Sequence, residues 1–359
     1  MKLLFYISTI RGGGAARVMV NIANEMAKKG NNILFVTNFP DVHEYILNDG
    51  IERRSLEKTE SKDGRIKKNL TRIRALRRIM KENKPDVSLS FMGENNFRLL
   101  IAAKGLRTKT IVSIRCDPAR EYASTLSRTL AKLLYRKADA VVFQTEDAKA
   151  FFPKVIQKRS QIIFNQVDDR FFALEKEPGE YIAACGRLTK QKNYPMMLRA
   201  FAQVLKEHPN EELHIYGDGE LLDSLSALVG ELGIADAVHF MGYSSDVPSV
   251  LQKAKFLVMS SDYEGLPNAV LESLAAGVPV VSTDCPCGGP RMVIRDGENG
   301  CLVPVGDEKA MAETIKALLS DKERLATMGK AAKESAGFYR GEQVIRTWEE
   351  LFKATKKEP

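Results

Sequence analysis

Histidine, tryptophan and cysteine are all scarce in this 359-residue chain, at four, one and five residues. The histidines, His43, His208, His214 and His239, share no metal-ligand spacing, and no Ser/His/Asp arrangement is legible around them. Neither a metal-dependent nor a serine-hydrolase mechanism has support in the sequence, and no metal or cofactor is expected. Cys116, Cys185, Cys285, Cys287 and Cys301 are odd in number and lack Cys-x-x-Cys spacing, so they read as reduced thiols of a cytosolic protein. Cys285-Pro286-Cys287 is too isolated for a metal and reads as structural loop. No run of about 18 apolar residues exists to span a membrane. The apolar start, Met1 to Ile10, is superficially like a secretory leader. It is short and meets Arg11-Gly12-Gly13-Gly14, and reads better as a first buried strand.

What is present is a long chain of ordinary apolar content, which sets two domains as the expectation. The net charge of +8 hides an asymmetry: residues 1–170 hold 33 Lys and Arg against 18 Asp and Glu, and the remainder holds 21 against 28. The basic first half should attract something anionic, such as a phosphorylated substrate, a membrane surface or nucleic acid. Strand-like and helix-like segments alternate throughout, the mark of an α/β protein with parallel sheets. Strands are expected at 3–10, 32–37, 87–91, 110–114 and 140–144, with helices at 16–29 and 66–84 and helical character over 117–136. The same alternation restarts after Val167-Asp168-Asp169, with a polar 175–179 reading as a linker. Strands follow at 181–184, 213–216, 238–241, 256–259, 278–282 and 301–303. We therefore expect two Rossmann-like doubly wound domains, 1–170 and 171–340, facing across a cleft, with ligands at the carboxyl ends of strands. A last helix from about 341, holding the single Trp348, is expected to pack back onto the first domain.

The most informative stretch is Ser261 to Glu272, in which Glu264 and Glu272 flank Gly265-Leu266-Pro267-Asn268. A strand feeds a helix there, and the unpaired N–H groups of a helix start favour phosphate. Were both glutamates helical they would lie about 12 Å apart along the axis. Gly186-Arg187-Leu188-Thr189-Lys190-Gln191-Lys192-Asn193 puts three cations after the first strand of the second half, suited to a diphosphate leaving group; alone it equally fits a solvated loop. Gly13 and Gly14, with Arg17 one turn on, allow close approach to an anion, but the full G-x-G-x-x-G pattern is not in place. Gly217, Gly219 and Gly288 fit either ligand-lining or plain turns. Over 66–79 the apolar residues form a helical stripe opposite a dense cationic face, which suits either an anionic membrane surface or simple solvation. No aromatics interleave with those cations, so nucleic acid is not expected.

Together, Gly13-Gly14-Ala15-Ala16-Arg17, Gly186 to Asn193, the Glu264/Glu272 pair, Asp296-Gly297-Glu298-Asn299-Gly300 and Leu302-Val303-Pro304 resemble family 4 glycosyltransferases of the two-Rossmann (GT-B) type. The likeness covers essentially the whole chain and is nearest to bacterial polysaccharide and lipid-linked oligosaccharide enzymes, including α-galactosyl and N-acetylgalactosaminyl transferases. It implies transfer of a hexose or N-acetylhexosamine from a UDP-sugar, with retention and without a catalytic metal. By the resemblance, Arg187 and Lys192 bind the diphosphate, aided by Gly265, Leu266, Pro267 and Asn268, while Glu272 holds the ribose and Glu264 orients the sugar. Met241 and Gly242 bracket the base, and Gly13 and Gly14 contribute from the first domain. The family's N-terminal-domain His has no counterpart in Ser113 to Pro118, which leaves Arg115, Asp117 or neither to act there. A polyprenyl-diphosphate acceptor would account for the basic first domain, and the protein would be cytoplasmic, with peripheral contact on the inner membrane face. A nucleotide-sugar epimerase or a non-catalytic nucleotide-sugar-binding protein remains the alternative; a nicotinamide enzyme fits less well, having no acidic ribose ligand after the second strand.

Overall fold

The computed structural model describes every residue except 41–44, 60–63, 178, 358 and 359, so His43 and Pro178 lie outside the described residues. The chain divides into two compact units, Met1–Gln166 with Glu342–Pro359, and Val167–Gly341. Residues 175–179 fall inside the second unit.

Among its described residues the first unit carries seven parallel strands: β1 (Lys2–Tyr6), β2 (Asn32–Thr37), β3 (Glu52–Ser55), β4 (Val87–Phe91), β5 (Lys109–Ser113), β6 (Ala140–Phe143) and β7 (Ser160–Ile162). They run in the order β3-β2-β1-β4-β5-β6-β7. The two edge strands were not anticipated. Glu52-Arg53-Arg54-Ser55 and Ser160-Gln161-Ile162 each have one neighbour and little to bury, so neither carries an apolar signal. The helical stretch after β5 is two helices, Pro118–Glu121 and Thr125–Leu134, each begun by a side-chain cap from Asp117 and Ser124.

The helix Arg65–Asn83 departs from the reading of its two faces. Arg72 is buried and paired with Glu57 at 2.7 Å, and Arg77 donates to the carbonyls of Ala102 and Lys104. Two of the charges assigned to a solvated face therefore hold the unit together. Conversely, Ile66 and Leu70 of the apolar stripe are exposed, while Leu76, Ile79 and Met80 are buried.

The core of this unit is completed by the helix Gly341–Lys357. Its Phe352 meets Phe5 of β1 with ring centroids 6.0 Å apart, and fully buried Trp348 meets Phe91 of β4 at 5.9 Å. Lys29–Glu349 and Lys356–Asp86 ion pairs, both 3.0 Å, fasten its rim.

In the second unit, β8 (Tyr181–Cys185), β9 (Leu213–Tyr216), β10 (Val238–Gly242), β11 (Ala254–Met259), β12 (Val280–Thr283) and β13 (Gly300–Val303) run parallel in the order β10-β9-β8-β11-β12-β13. Its core, which includes Ile182, Phe201, Ile215, Phe256, Met311 and Ile315, draws on this unit alone. Both sheets reverse their order of growth beside their first strand. The loops after β1 and β4, and after β8 and β11, thus leave adjacent strands at a switch point, where α/β sheets gather ligands. Among the described residues no helix is long and apolar enough to cross a membrane.

Candidate functional site

Adjacency of β8 and β11 explains why two motifs nearly 80 residues apart in sequence meet. The loop after β8 is tied to the loop after β11: Gln191 donates to the Tyr263 carbonyl, Asn193 to Asp262 Oδ1, and the Ser260 hydroxyl to the Lys192 carbonyl. Asn193 takes the left-handed conformation (φ 45°) and caps the following helix, Tyr194–Val204. With its neighbours so fixed, Lys192 reaches Glu264, Nζ to Oε1 2.8 Å, and Ser261 donates to the same oxygen at 2.9 Å. The two side chains are only 16% and 10% exposed, so the pair is largely desolvated. Such a pair holds its geometry tightly and responds strongly to a further anion.

Glu264 lies in the loop and Glu272 in the helix Asn268–Ala275, so their helical separation does not apply. Both carboxylates are buried, and two thiols report where they sit. Cys185, at the end of β8, is pushed up to about 12 by burial and then by Glu272; Cys285 is pushed up to about 12 by burial and then by Glu264. Pro267 occupies the N-cap of the helix, one position earlier than a first-turn proline, and its own side chain makes no cap hydrogen bond. Arg187 is exposed and has no ion-pair partner among the described residues. An exposed guanidinium, a fixed ammonium and a nearby helix start together suit a diphosphate.

Close loop packing requires glycine at particular points. A Cβ at Gly289 would stand 1.6 Å from the Gly265 carbonyl oxygen, and one at Gly217 would stand 2.1 Å from that of Gly186. Gly217 also donates its N–H to the Gly242 carbonyl, and Gly288 to that of Cys285. The Gly288 N–H is thus already engaged within its own turn. At the end of β10, Met241 is exposed and Gly242 is left-handed (φ 68°). Ser261 and Asp262, inside the stretch already singled out, and Thr283, outside it, brace these loops, Thr283 donating to the Ser261 carbonyl at 2.6 Å. Their only signal is a run of short polar side chains at the ends of apolar strands.

Gly13, Gly14, Arg17, Arg115 and Asp117 belong to the first unit. Gly13 (φ 88°) is the N-cap of the helix Gly14–Lys28, whose first turn carries neither a side-chain cap nor an acid. Asp117 accepts from the Ala119 N–H and serves as a helix cap. Arg115 is buried, stacks 4.2 Å over the Phe91 ring and donates to Asn165 at 2.7 Å, leaving Nη1 without a partner. Burial presses its pKa below the ordinary guanidinium value.

At the carboxyl ends of the first sheet lies a cavity of about 730 Å³. Arg98 and Arg65 grip Glu94 at 2.6 Å each along its wall, and Glu121, raised by burial, accepts from the Gly93 N–H. The lip is apolar, with Met92, Ile101, Leu126 and Leu130 all exposed. Nothing in the spacing of Glu94, Arg98 and Glu121 singles them out in the sequence.

A family model described as "Glycosyltransferase Family 4" matches residues 12–171, and one described as "Glycosyl transferases group 1" matches 165–335. A GalNAc-alpha-(1->4)-GalNAc-alpha-(1->3)-diNAcBac-PP-undecaprenol alpha-1,4-N-acetyl-D-galactosaminyltransferase of Campylobacter jejuni is 29% identical, over 99% of both chains. The amylovoran biosynthesis glycosyltransferase AmsD of Erwinia amylovora is 24% identical, over 98% of this chain and 99% of its own. Among solved structures, Anabaena Alr3699/HepE in complex with UDP superposes with a TM-score of 0.82 at 18% identity, covering 99% of this chain and 100% of that one.

Proposed function

We propose that this chain, matched by two family models over residues 12–171 and 165–335, is a family 4 glycosyltransferase that moves a hexose or N-acetylhexosamine from a UDP-sugar to a lipid-linked glycan with retention. The observation that carries the donor assignment is the desolvated Lys192–Glu264 pair beside the start of the helix Asn268–Ala275. Lys192 and Arg187 neutralise the diphosphate as the bond from the anomeric carbon to its oxygen breaks. An acceptor hydroxyl forms the new bond to that carbon, its proton leaves on the diphosphate, and UDP departs. Glu264, released from Lys192 by the incoming phosphate, turns to the sugar hydroxyls, and Glu272 holds the ribose. Met241 and Gly242 border the base, and the N–H groups from Gly265 to Asn268 add to the anion site. Within the first unit, Gly13, Gly14, Arg17 and Arg115 offer further anion contacts, Arg115 through its unpartnered Nη1.

The first unit would hold the acceptor. The cavity whose arginine-lined wall meets an apolar lip fits an anionic head joined to a hydrocarbon chain, and the Campylobacter relative is named for an undecaprenol-linked substrate. Exposed Ile66, Leu70, Leu126 and Leu133, interspersed with Lys67, Arg128 and Lys132, support peripheral contact with an anionic membrane.

The test is to incubate the protein with UDP-sugars, with and without a polyprenyl-diphosphate-linked glycan, and follow both products. Release of UDP that depends on acceptor supports transfer; an isomerised nucleotide sugar would mean an epimerase, and tight binding without conversion a sensor. With Glu264→Gln, turnover should fall at least about a hundredfold while UDP affinity changes little. Collapse of UDP binding with turnover per bound donor retained would remove Glu264 from its role.

A further inference from the structure

We propose that Glu212, His214 and His239 form a binding site for one divalent transition-metal ion of the zinc class, clipping the edge strand β10 to β9. The sheet itself assembles the three residues. Glu212, immediately before β9, contacts the His214 ring, and His239 is the register partner of His214 on the neighbouring strand. One ligand atom from each lies within 4.8 Å of the others. Glu212 Oε2 stands 2.8 Å from His214 Nε2 and 3.6 Å from His239 Nε2. A tetrahedral ion with bonds of about 2.0–2.2 Å needs ligand atoms roughly 3.3 Å apart, so these two distances bracket the requirement.

The site combines a fixed ligand with two adjustable ones. His214 is 16% exposed and stacks on Tyr181 with centroids 4.0 Å apart; the His239 ring meets it edge-on at 5.0 Å. Side chains of His239 and Glu212 are 39% and 52% exposed, which gives an ion access and lets both close by the fraction of an ångström required. The nearby ammonium of Lys255 is held by Glu211 at 2.5 Å, which offsets its repulsion. Two imidazoles and a carboxylate favour zinc, cobalt, nickel or copper over magnesium and calcium, which prefer oxygen alone. The fourth position is open to solvent. Because the cluster lies at the amino ends of β9 and β10, whereas Lys192 and Glu264 follow the carboxyl ends of strands, the ion has a structural role. It fastens the strand that continues to Met241 and Gly242.

The test uses the full chain after treatment with a chelator. Calorimetric titration with zinc chloride should give one ion per chain, and cobalt should give visible bands of nitrogen and oxygen ligation without thiolate charge transfer. His239→Ala and Glu212→Gln, both at partly exposed positions, should each weaken zinc binding at least about tenfold with an unchanged circular dichroism spectrum. Failure to bind zinc overturns the proposal. So does unchanged affinity in both variants, or a thiolate band placing the ion on cysteine.

Discussion

At the scale of single residues, the site depends on what its neighbours leave no room for. Gly289→Ala would drive a methyl into the Gly265 carbonyl, so the loop bearing Glu264 must move. We expect a stability loss of about 1–3 kcal/mol and a drop in UDP affinity of at least about tenfold, measured by denaturant titration and calorimetry. Cys185 and Cys285 make a second case: with thiols held near 12 they stay protonated at neutral pH. Thiol reagents at pH 7.5 should label both far more slowly than they label unfolded chain, and mass spectrometry of the labelled peptides checks it. Lys176 gives a pH dependence of definite sign. Burial lowers its pKa to about 8 even though its ammonium donates to the carbonyls of Gln252 and Ala254. Between pH 8 and its ordinary value of about 10.5 the unfolded chain binds a proton that the folded chain does not, so this group makes stability rise with pH. Lys176→Met should flatten that part of the stability profile.

Among elements, legibility followed burial. Strands β2, β4 and β9 match their expected limits because each has apolar residues at least at alternate positions and is paired on both sides, whereas β3 and β7 are polar edges that only pairing defines. Glu264 and Lys192 were recognisable from the family motif, but their direct contact follows from strand order, which no local pattern encodes. The same holds for His214 and His239, which are 25 positions apart yet register partners. Arg72 shows the opposite failure, since a cation within a cationic helix gives no sign that it will be buried against Glu57. The helix Gly341–Lys357 offers a measurable case, because Trp348 and Phe352 complete a core begun by Phe5 and Phe91. Trp348→Ala should cost the first unit about 3–5 kcal/mol, read as a lowered midpoint in chemical denaturation followed by a probe in that unit.

At the level of the whole molecule, the two units differ in how much of their chain is contiguous. Val167–Gly341 is a single segment with its own core, and expressed alone it should fold cooperatively and retain UDP binding. Met1–Gln166 alone lacks Trp348 and Phe352 and should not reach a native-like near-ultraviolet spectrum; adding a peptide of residues 342–357 should restore it in part. This division also sets an order of events during synthesis. The second unit can close as soon as its own segment leaves the ribosome, but the first, though made earlier, keeps the floor of its sheet open until the Trp348 helix emerges. For the time needed to translate some 175 residues, roughly ten to thirty seconds at ordinary elongation rates, Phe5 and Phe91 are a transient binding surface for chaperones, and the first half translated is the last to become native.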